Sequence, residues 1–502
     1  MGLAELSASE RPSQHASGAT SDVLDSTEAG GRIIRGGVLR LGSYVVMLAL
    51  SVLSAALLTR HLRPVRFGEY TTVLSLVGVV ASITDAGMST VGTREFAVRE
   101  GADRDELMRD LLGLRMMLTT LGVLLVSAFA LAAGYDTALL AGAVLASLGT
   151  IALVVQHTHT IPLTAALRLG PLSALDLARQ ALTVAAIVAL VALGAGVLPL
   201  LAVALAVNLA LIPPTAALAR NQISLRMGLH PHQWLSLLRL TLSYSLATTV
   251  GTIYVYTAQI LTSLLASAHQ SGLFAAPFRI FIMAAGVPGL LVGGALPLLA
   301  RAARDDRERL TYALQRIFEV SLILGVASAV GMLAGAQFVI SVIAGAQYRG
   351  SVGALQILGV GMIASFVLAG WSIALLSLER YKGLLLANLG AFLVSCSLTA
   401  VLASTHGATG AAIATLCGES ALALGSLLVL TRGHAEFRPK LGVIAKVALA
   451  AAPALAVSLL SGIPSLVRAL LALALYGLLI AITRAVPAEL IEIIPVRLRR
   501  AR

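Results

Sequence analysis

A chain of 502 residues that is 58% hydrophobic and only 12% charged is not built for water, because soluble domains are about a quarter charged and the polar surface left over could not cover so large an apolar interior. The net charge of +12 invites a nucleic-acid partner, but no basic stripe interleaved with aromatics accompanies it, which argues against that class. The composition fits an all-α integral membrane protein, since each span needs about 20 apolar residues and a helix satisfies its own backbone in lipid.

In chain order, residues 1–37 are expected to form a disordered cytoplasmic segment, polar and rich in Ser and Ala over most of its length; it carries no cleavable leader pattern. Six apolar runs follow, at 38–58, 70–91, 113–133, 138–161, 177–195 and 198–219, and predict an N-terminal six-helix lobe over 38–219. Residues 220–239 read as a cytoplasmic linker. A second six-helix lobe is predicted over 240–430, from runs at 240–264, 274–300, 319–341, 353–376, 383–403 and 408–430. Two additional helices, 443–461 and 464–484, fall in the segment 431–484, and 485–502 is a basic cytoplasmic tail ending VRLRRAR. The count is about 14 spans. With both termini inside, about 25 of the 36 Lys and Arg residues face the cytoplasm and about 4 lie in outer loops. The positive charge is then a topology device and a contact for anionic lipid heads. Cys396 and Cys417 lie inside apolar runs and read as packing residues, with no disulfide or metal site.

Two inner loops resemble each other. TREFAVREGADRDELMRDLLGLR (93–115) and LARAARDDRERLTYALQRIF (299–318) each start with an arginine leaving the membrane, pass an Arg/Asp cluster and enter an amphipathic stretch. The turns before them also correspond, FGEY (67–70) with SGLF (271–274), at an offset of about 200 residues. The pattern suggests two lobes related by a pseudo-twofold, an arrangement in which transporters place a substrate path between repeats.

The stretch LTRHLRPVRFGEYTTVLSL (58–76) interrupts an apolar chain with basic residues, a proline and a glycine. Pro64 and Gly68 suit an irregular turn between spans; direct substrate contact is the alternative. The longer segment 57–97 resembles the start of the oligosaccharide flippases. These form the polysaccharide-transporter branch of the multidrug/oligosaccharidyl-lipid/polysaccharide (MOP) exporter superfamily. The resemblance rests on Leu58, Thr59, Arg60, Leu62, Pro64, Phe67, Gly68, Tyr70, Asp85, Gly87 and Arg94. SGLFAAPFRI (271–280) and VISVIAGAQYRGSVGALQILGVG (339–361) are similar to two further segments of that family. In one respect the chain departs from it: Gln259 stands where members often carry an aspartate about 20 residues before the arginine of span eight. A neutral amide neither pairs with Arg279 as a carboxylate would nor carries a proton.

Ionisable groups inside spans cost roughly 2.5–3.5 kcal/mol at the bilayer centre and so mark candidate sites. Glu419 lies near the middle of its span, either as an ion-coupling group or as an acid bonded to a neighbouring helix. Arg279 either faces a cavity, where its planar fork suits a phosphate, or snorkels to the interface; the resemblance favours the cavity. Arg40 and Asp85, near the inner ends of spans one and two, suit a structural pair. Arg40 otherwise receives an anionic headgroup, and Asp85 is a second candidate for ion coupling. Tyr254, Tyr256 and Gln259, with Asn208 and Asn388, either hydrogen-bond sugar or join helices. His157 and His159 lack further ligands for a metal. Asp176 with Arg179 and Glu319 with Arg316 read as interfacial pairs, and Lys446, Arg468 and Arg484 as snorkelling residues.

The resemblance implies a transporter that moves polyprenyl-diphosphate-linked oligosaccharide between leaflets, in a bacterial-type plasma membrane. It needs no cofactor, and its expected partners are membrane lipids, a polysaccharide polymerase and glycosyltransferases. A lipid II flippase or a cation-coupled multidrug exporter is the alternative within the superfamily. A membrane glycosyltransferase is disfavoured, because the sequence has neither a P-loop nor an acidic cluster for a metal–nucleotide pair. No catalytic residues are expected.

Overall fold

In a computed structural model, residues 27–485 are described, apart from 86, 167, 220–227, 229, 294–295, 461 and the side chains of 27–41, 169, 231, 240, 241, 243, 244, 296–298 and 305. The described chain is helical throughout, in 14 α-helices and two short 3-10 turns, with no strand among the described residues. The first half contains α1 (Thr27–Asp85), α2 (Met88–Val98), α3 (Gly101–Ala132), α4 (Thr137–Ala165), α5 (Leu169–Ala192) and α6 (Val197–Leu218). The second contains α7 (Pro231–Leu265), α8 (Ala268–Gly293), α9 (Leu296–Asp305), α10 (Arg307–Ile343), α11 (Val352–Ser377) and α12 (Tyr381–Thr431); α13 (Gly442–Ser458) and α14 (Ser465–Ile482) follow.

Among the described residues, 11 stretches are long and apolar enough to cross a membrane. Two of them, 42–98 and 381–431, are pairs of spans joined at a kink. Taking each pair as two gives 13 crossings among the described residues, against about 14 expected from the sequence. The remaining expected run, 240–264, falls in α7, whose 35 residues extend about 52 Å but which is not among the 11.

Each kink has a local cause. α1 breaks at Arg63 (φ 59°, ψ 173°), directly before Pro64; proline supplies no N–H and drives the residue before it out of the helical region. α12 breaks at Gly407 (φ 56°), a conformation open to glycine at no steric cost. The two arms of α12 form a hairpin, because Arg380 at its start donates to the carbonyls of Val429 and Leu430 at its end, both at 3.0 Å. The arms of α1 pack on different helices. Tyr44 in the first approaches Gly286 of α8, whereas in the second Ser82 accepts a hydrogen bond from Thr249 of α7.

The two matched loops take matching forms. A short helix leads into a long one in each half, α2 into α3 and α9 into α10. α13 and α14 pack on α10, where Tyr476 Oη donates to Ile323 O at 3.0 Å and Arg468 Nε to Ala334 O at 3.2 Å. Leucines such as Leu125, Leu393 and Leu428 remain exposed, as spans facing lipid require.

Candidate functional site

The three segments that carry the family resemblance meet at the Pro64 end of the molecule. Gly68 and Gly272, the corresponding glycines of the two repeated turns, face each other at backbone contact: a Cβ on Gly68 would lie 2.9 Å from Gly272 N. Thr59 Oγ1 donates to Ile343 O at 3.0 Å, and Arg60 to Val342 O at 2.5 Å. Gln347 Nε2 donates to the carbonyls of Thr59 and Arg60, each at 3.3 Å. Those carbonyls need outside donors because the helix ladder ends at Arg63. Phe67 packs edge-on against the buried ring of Tyr348 at 6.4 Å, and Ser351 Oγ donates to Leu273 O at 2.6 Å. The interrupted stretch of the sequence is therefore a closed junction between the halves.

Below this junction lies a cavity of about 230 Å³ lined by both halves: Thr71, Ser75 and Gly78 of α1, Asn208 of α6, Tyr256 of α7 and Arg279 of α8. Residues 71, 75 and 78 share one face of a helix. Ser75 Oγ bonds back to Thr71 O at 2.9 Å, so a polar stripe crosses the apolar medium without an orphaned hydroxyl. Arg279 is half-buried and lines the cavity, while Phe274, Phe278 and Phe281 stack in sequence on the same helix. Among the described residues, the Arg279 guanidinium has neither a hydrogen-bond nor an ion-pair partner. Asn208 is fixed by donating to Gly149 O at 3.0 Å, and Gln156 Nε2 donates to Asn208 O.

A second cavity, about 340 Å³, is lined by Asp85, Ser89, Arg115 and His157. Arg115 is 1% exposed and pairs with Asp85 at 2.5 Å. It also donates to Ser89 Oγ at 2.6 Å and Thr158 Oγ1 at 3.2 Å. Among the described residues Arg115 holds the Asp85 carboxylate; the expected pairing of Asp85 with Arg40 falls outside them, because the side chain of Arg40 is not described.

The remaining candidates divide. Tyr256 lines the first cavity, but Tyr254, two residues away and so on the other face, is buried and donates to Glu419 Oε1 at 3.2 Å. Glu419 also accepts from Ser365 Oγ at 2.6 Å, which joins α7, α11 and α12 away from both cavities. Gln259 is fully buried and donates to Ser271 Oγ at 3.2 Å and Thr72 Oγ1 at 3.4 Å. Asn388 is buried and donates to Ala247 O at 2.9 Å. Arg179 pairs with Asp176 at 3.4 Å, and Arg316 with Glu319 at 2.8 Å.

Two structural features beside the candidate site are not evident from the sequence. Arg115 closes the loop 93–115 in sequence, and its one signal is an arginine already inside the apolar run 113–133. The second is a clasp at the far end from Pro64. Gly228 N donates to Arg109 O at 2.9 Å, Gln233 Nε2 to Glu106 Oε1 at 2.6 Å, and His230 Nδ1 lies 2.9 Å from Asp110 Oδ1. Glu106, Asp110 and His230 bring potential metal ligands within 4.8 Å of one another, but these hydrogen bonds already account for the arrangement.

Residues 57–353 match a family model described as polysaccharide biosynthesis protein. Among solved structures, the chain is similar to the lipid II flippase MurJ in an inward closed conformation, at 13% identity and a TM-score of 0.75, over 89% of this chain and 98% of that one. It is also similar to a multidrug resistance MATE family transporter of the MOP superfamily in an inward-facing conformation, at 13% identity and a TM-score of 0.61, over 80% and 98%. An outward-facing MATE structure matches at 14% identity and a TM-score of 0.55, over 80% and 96%. At these identities the likeness is one of fold. No curated protein matches the chain.

Proposed function

The chain belongs to the polysaccharide biosynthesis protein family, and on that premise we propose that it moves polyprenyl-diphosphate-linked oligosaccharide from the inner to the outer leaflet for surface polysaccharide assembly. It acts by alternating access and catalyses no covalent step. The observation that carries this is Arg279, a guanidinium with no hydrogen-bond or ion-pair partner among the described residues, in a cavity lined by both halves. An ionised group inside a membrane span is costly unless something repays it, and a guanidinium fork binds phosphate with two parallel charge-assisted hydrogen bonds. The diphosphate is the headgroup component that matches it. Both termini are assigned to the cytoplasm of a bacterial-type plasma membrane, so the Pro64 junction faces outward and the Gly228 clasp inward. The cavities are smaller than a lipid-linked oligosaccharide, in keeping with a closed state between openings. Glu419 is assigned to ion coupling, since the sequence contains no ATPase motif. The assigned partners are lipids, a polymerase and glycosyltransferases.

The test is transport of a fluorescent polyprenyl-diphosphate oligosaccharide in proteoliposomes. Arg279→Ala should lower the rate at least tenfold with insertion unchanged, and Arg279→Lys should restore part of it, because lysine keeps the charge and loses the fork. An Arg279→Ala protein that transports normally removes Arg279 from the mechanism. Transport of lipid II alone would instead make this chain a lipid II flippase.

A further inference from the structure

The two cavities adjoin at Ala81, Thr150 and Leu153, and the pair lies in line as a crevice between the second arm of α1 and α4. From Thr71 to Asp85 the crevice follows α1 for about 21 Å at 1.5 Å per residue. The two cavities differ in charge. Arg279 lines the first cavity with no hydrogen-bond or ion-pair partner among the described residues, and Tyr256 lies against Gly78 in the same cavity, midway along the crevice. In the second cavity the cation is consumed: Arg115 is spent on Asp85, Ser89 and Thr158. What is offered there is the Asp85 carboxylate, whose side chain is 44% exposed. Among the described residues its hydrogen bonds fall on Oδ1, from Ser89 and Arg115, which leaves Oδ2 without a partner there, on a side chain that lines the second cavity together with His157.

We propose that the Asp85 end of this crevice is a glycan subsite for neutral, hydroxyl-rich sugar units, a step that rests on the transporter function proposed above. Asp85 Oδ2 accepts hydroxyl hydrogens of the sugar, and His157 supplies a second polar edge. Arg115 is a positioning residue that holds the carboxylate in one orientation. The subsite discriminates by charge. A uronate or sulfate group brought there meets a carboxylate with no free cation among the described residues, and like charges at short range are unfavourable. The diphosphate, which needs a cation, belongs at the Arg279 end. Asp85 then serves glycan recognition in place of the ion coupling that its position in the sequence also suggested.

The experiment uses the full chain in proteoliposomes with three polyprenyl-diphosphate probes: one neutral hexose, a neutral tetrasaccharide, and a tetrasaccharide ending in a uronate. Photoreactive p-benzoylphenylalanine is placed at Tyr256 or at Val154, which lines only the second cavity. Cross-links from position 256 should form with all probes, and those from position 154 with the neutral tetrasaccharide only. Asp85→Asn should slow the neutral tetrasaccharide about tenfold, the scale of one lost charge-assisted hydrogen bond, and leave the monosaccharide within twofold. Arg115→Met should reproduce that length dependence, and Arg115→Lys should restore part of the rate. Cross-links from 154 that ignore glycan length, or an Asp85→Asn defect equal for short and long probes, overturn the subsite while the transporter function stands. Absence of transport and of cross-links at both positions overturns the function itself, and the subsite with it.

Discussion

Replacing Gly272 by alanine tests the junction between the halves most directly. A Cβ at Gly272 would overlap the Pro64 carbonyl oxygen and stand 2.9 Å from Pro64 Cα. The obstructing atoms are backbone, so no side chain can swing aside. Overpacking of this kind costs about 1–3 kcal/mol. The strain exists only while the two ends touch, so it is a difference between conformations and not a uniform loss of stability. A differential of that size shifts a two-state equilibrium by about 5- to 150-fold, toward opening at the Pro64 end. Gly68→Ala, which puts a methyl 2.9 Å from Gly272 N and 3.0 Å from Gly272 Cα, should act in the same direction and less strongly. Gly289→Ala is the control, because it lies on the same helix and a Cβ there meets nothing within 4 Å. The assay is electron–electron resonance between spin labels at Arg66 and His269, both exposed residues beside the junction, with Cys396 and Cys417 replaced by serine. The wild type and Gly289→Ala should give one short distance; Gly272→Ala should add a longer one as its main population and slow transport. A Gly272→Ala protein with the wild-type distance distribution and full transport would falsify the view that this contact is the closing surface.

Four further outcomes follow from the same geometry. Gln347→Ala removes the donor to the Thr59 and Arg60 carbonyls and should shift the label distances in the same sense, by about 1 kcal/mol per hydrogen bond lost; an unchanged distribution would show those bonds to be incidental. Glu419→Ala leaves the hydroxyls of Tyr254 and Ser365 buried without their acceptor and should destabilise the detergent-solubilised protein by about 1–3 kcal/mol. Glu419→Gln keeps an acceptor and should melt near the wild type while losing its response to an imposed ion gradient; a retained response would take Glu419 out of coupling. Gly228→Ala places a methyl on the Asp110 carboxylate and should release the clasp, read as faster hydrogen exchange at the start of α7, with the Pro64-end distances unaltered.

Much of the architecture is legible in the chain because its causes are local. A run of some 20 apolar residues is a span wherever it sits. Arg63–Pro64 and His406–Gly407 break helices through the backbone limits of proline and glycine. The repeat also survives reading by eye: the matched loops become α2–α3 and α9–α10, and the matched turns meet as Gly68 and Gly272. The candidate site was less legible. Tyr254 and Tyr256 look alike in sequence, yet one is bonded to Glu419 and the other lines the cavity.

Composition and local pattern alone thus determined that this is a many-span helical membrane protein, where it bends, and which few charges its spans must accommodate. The tertiary structure alone decided that Asp85 belongs to Arg115 and that Arg279 lines a cavity between the halves. The physical reason is rotational. A helix that is apolar all round has no amphipathic stripe to fix which face turns inward, and in lipid that choice falls to close packing and hydrogen bonds between helices, which join residues far apart in the chain.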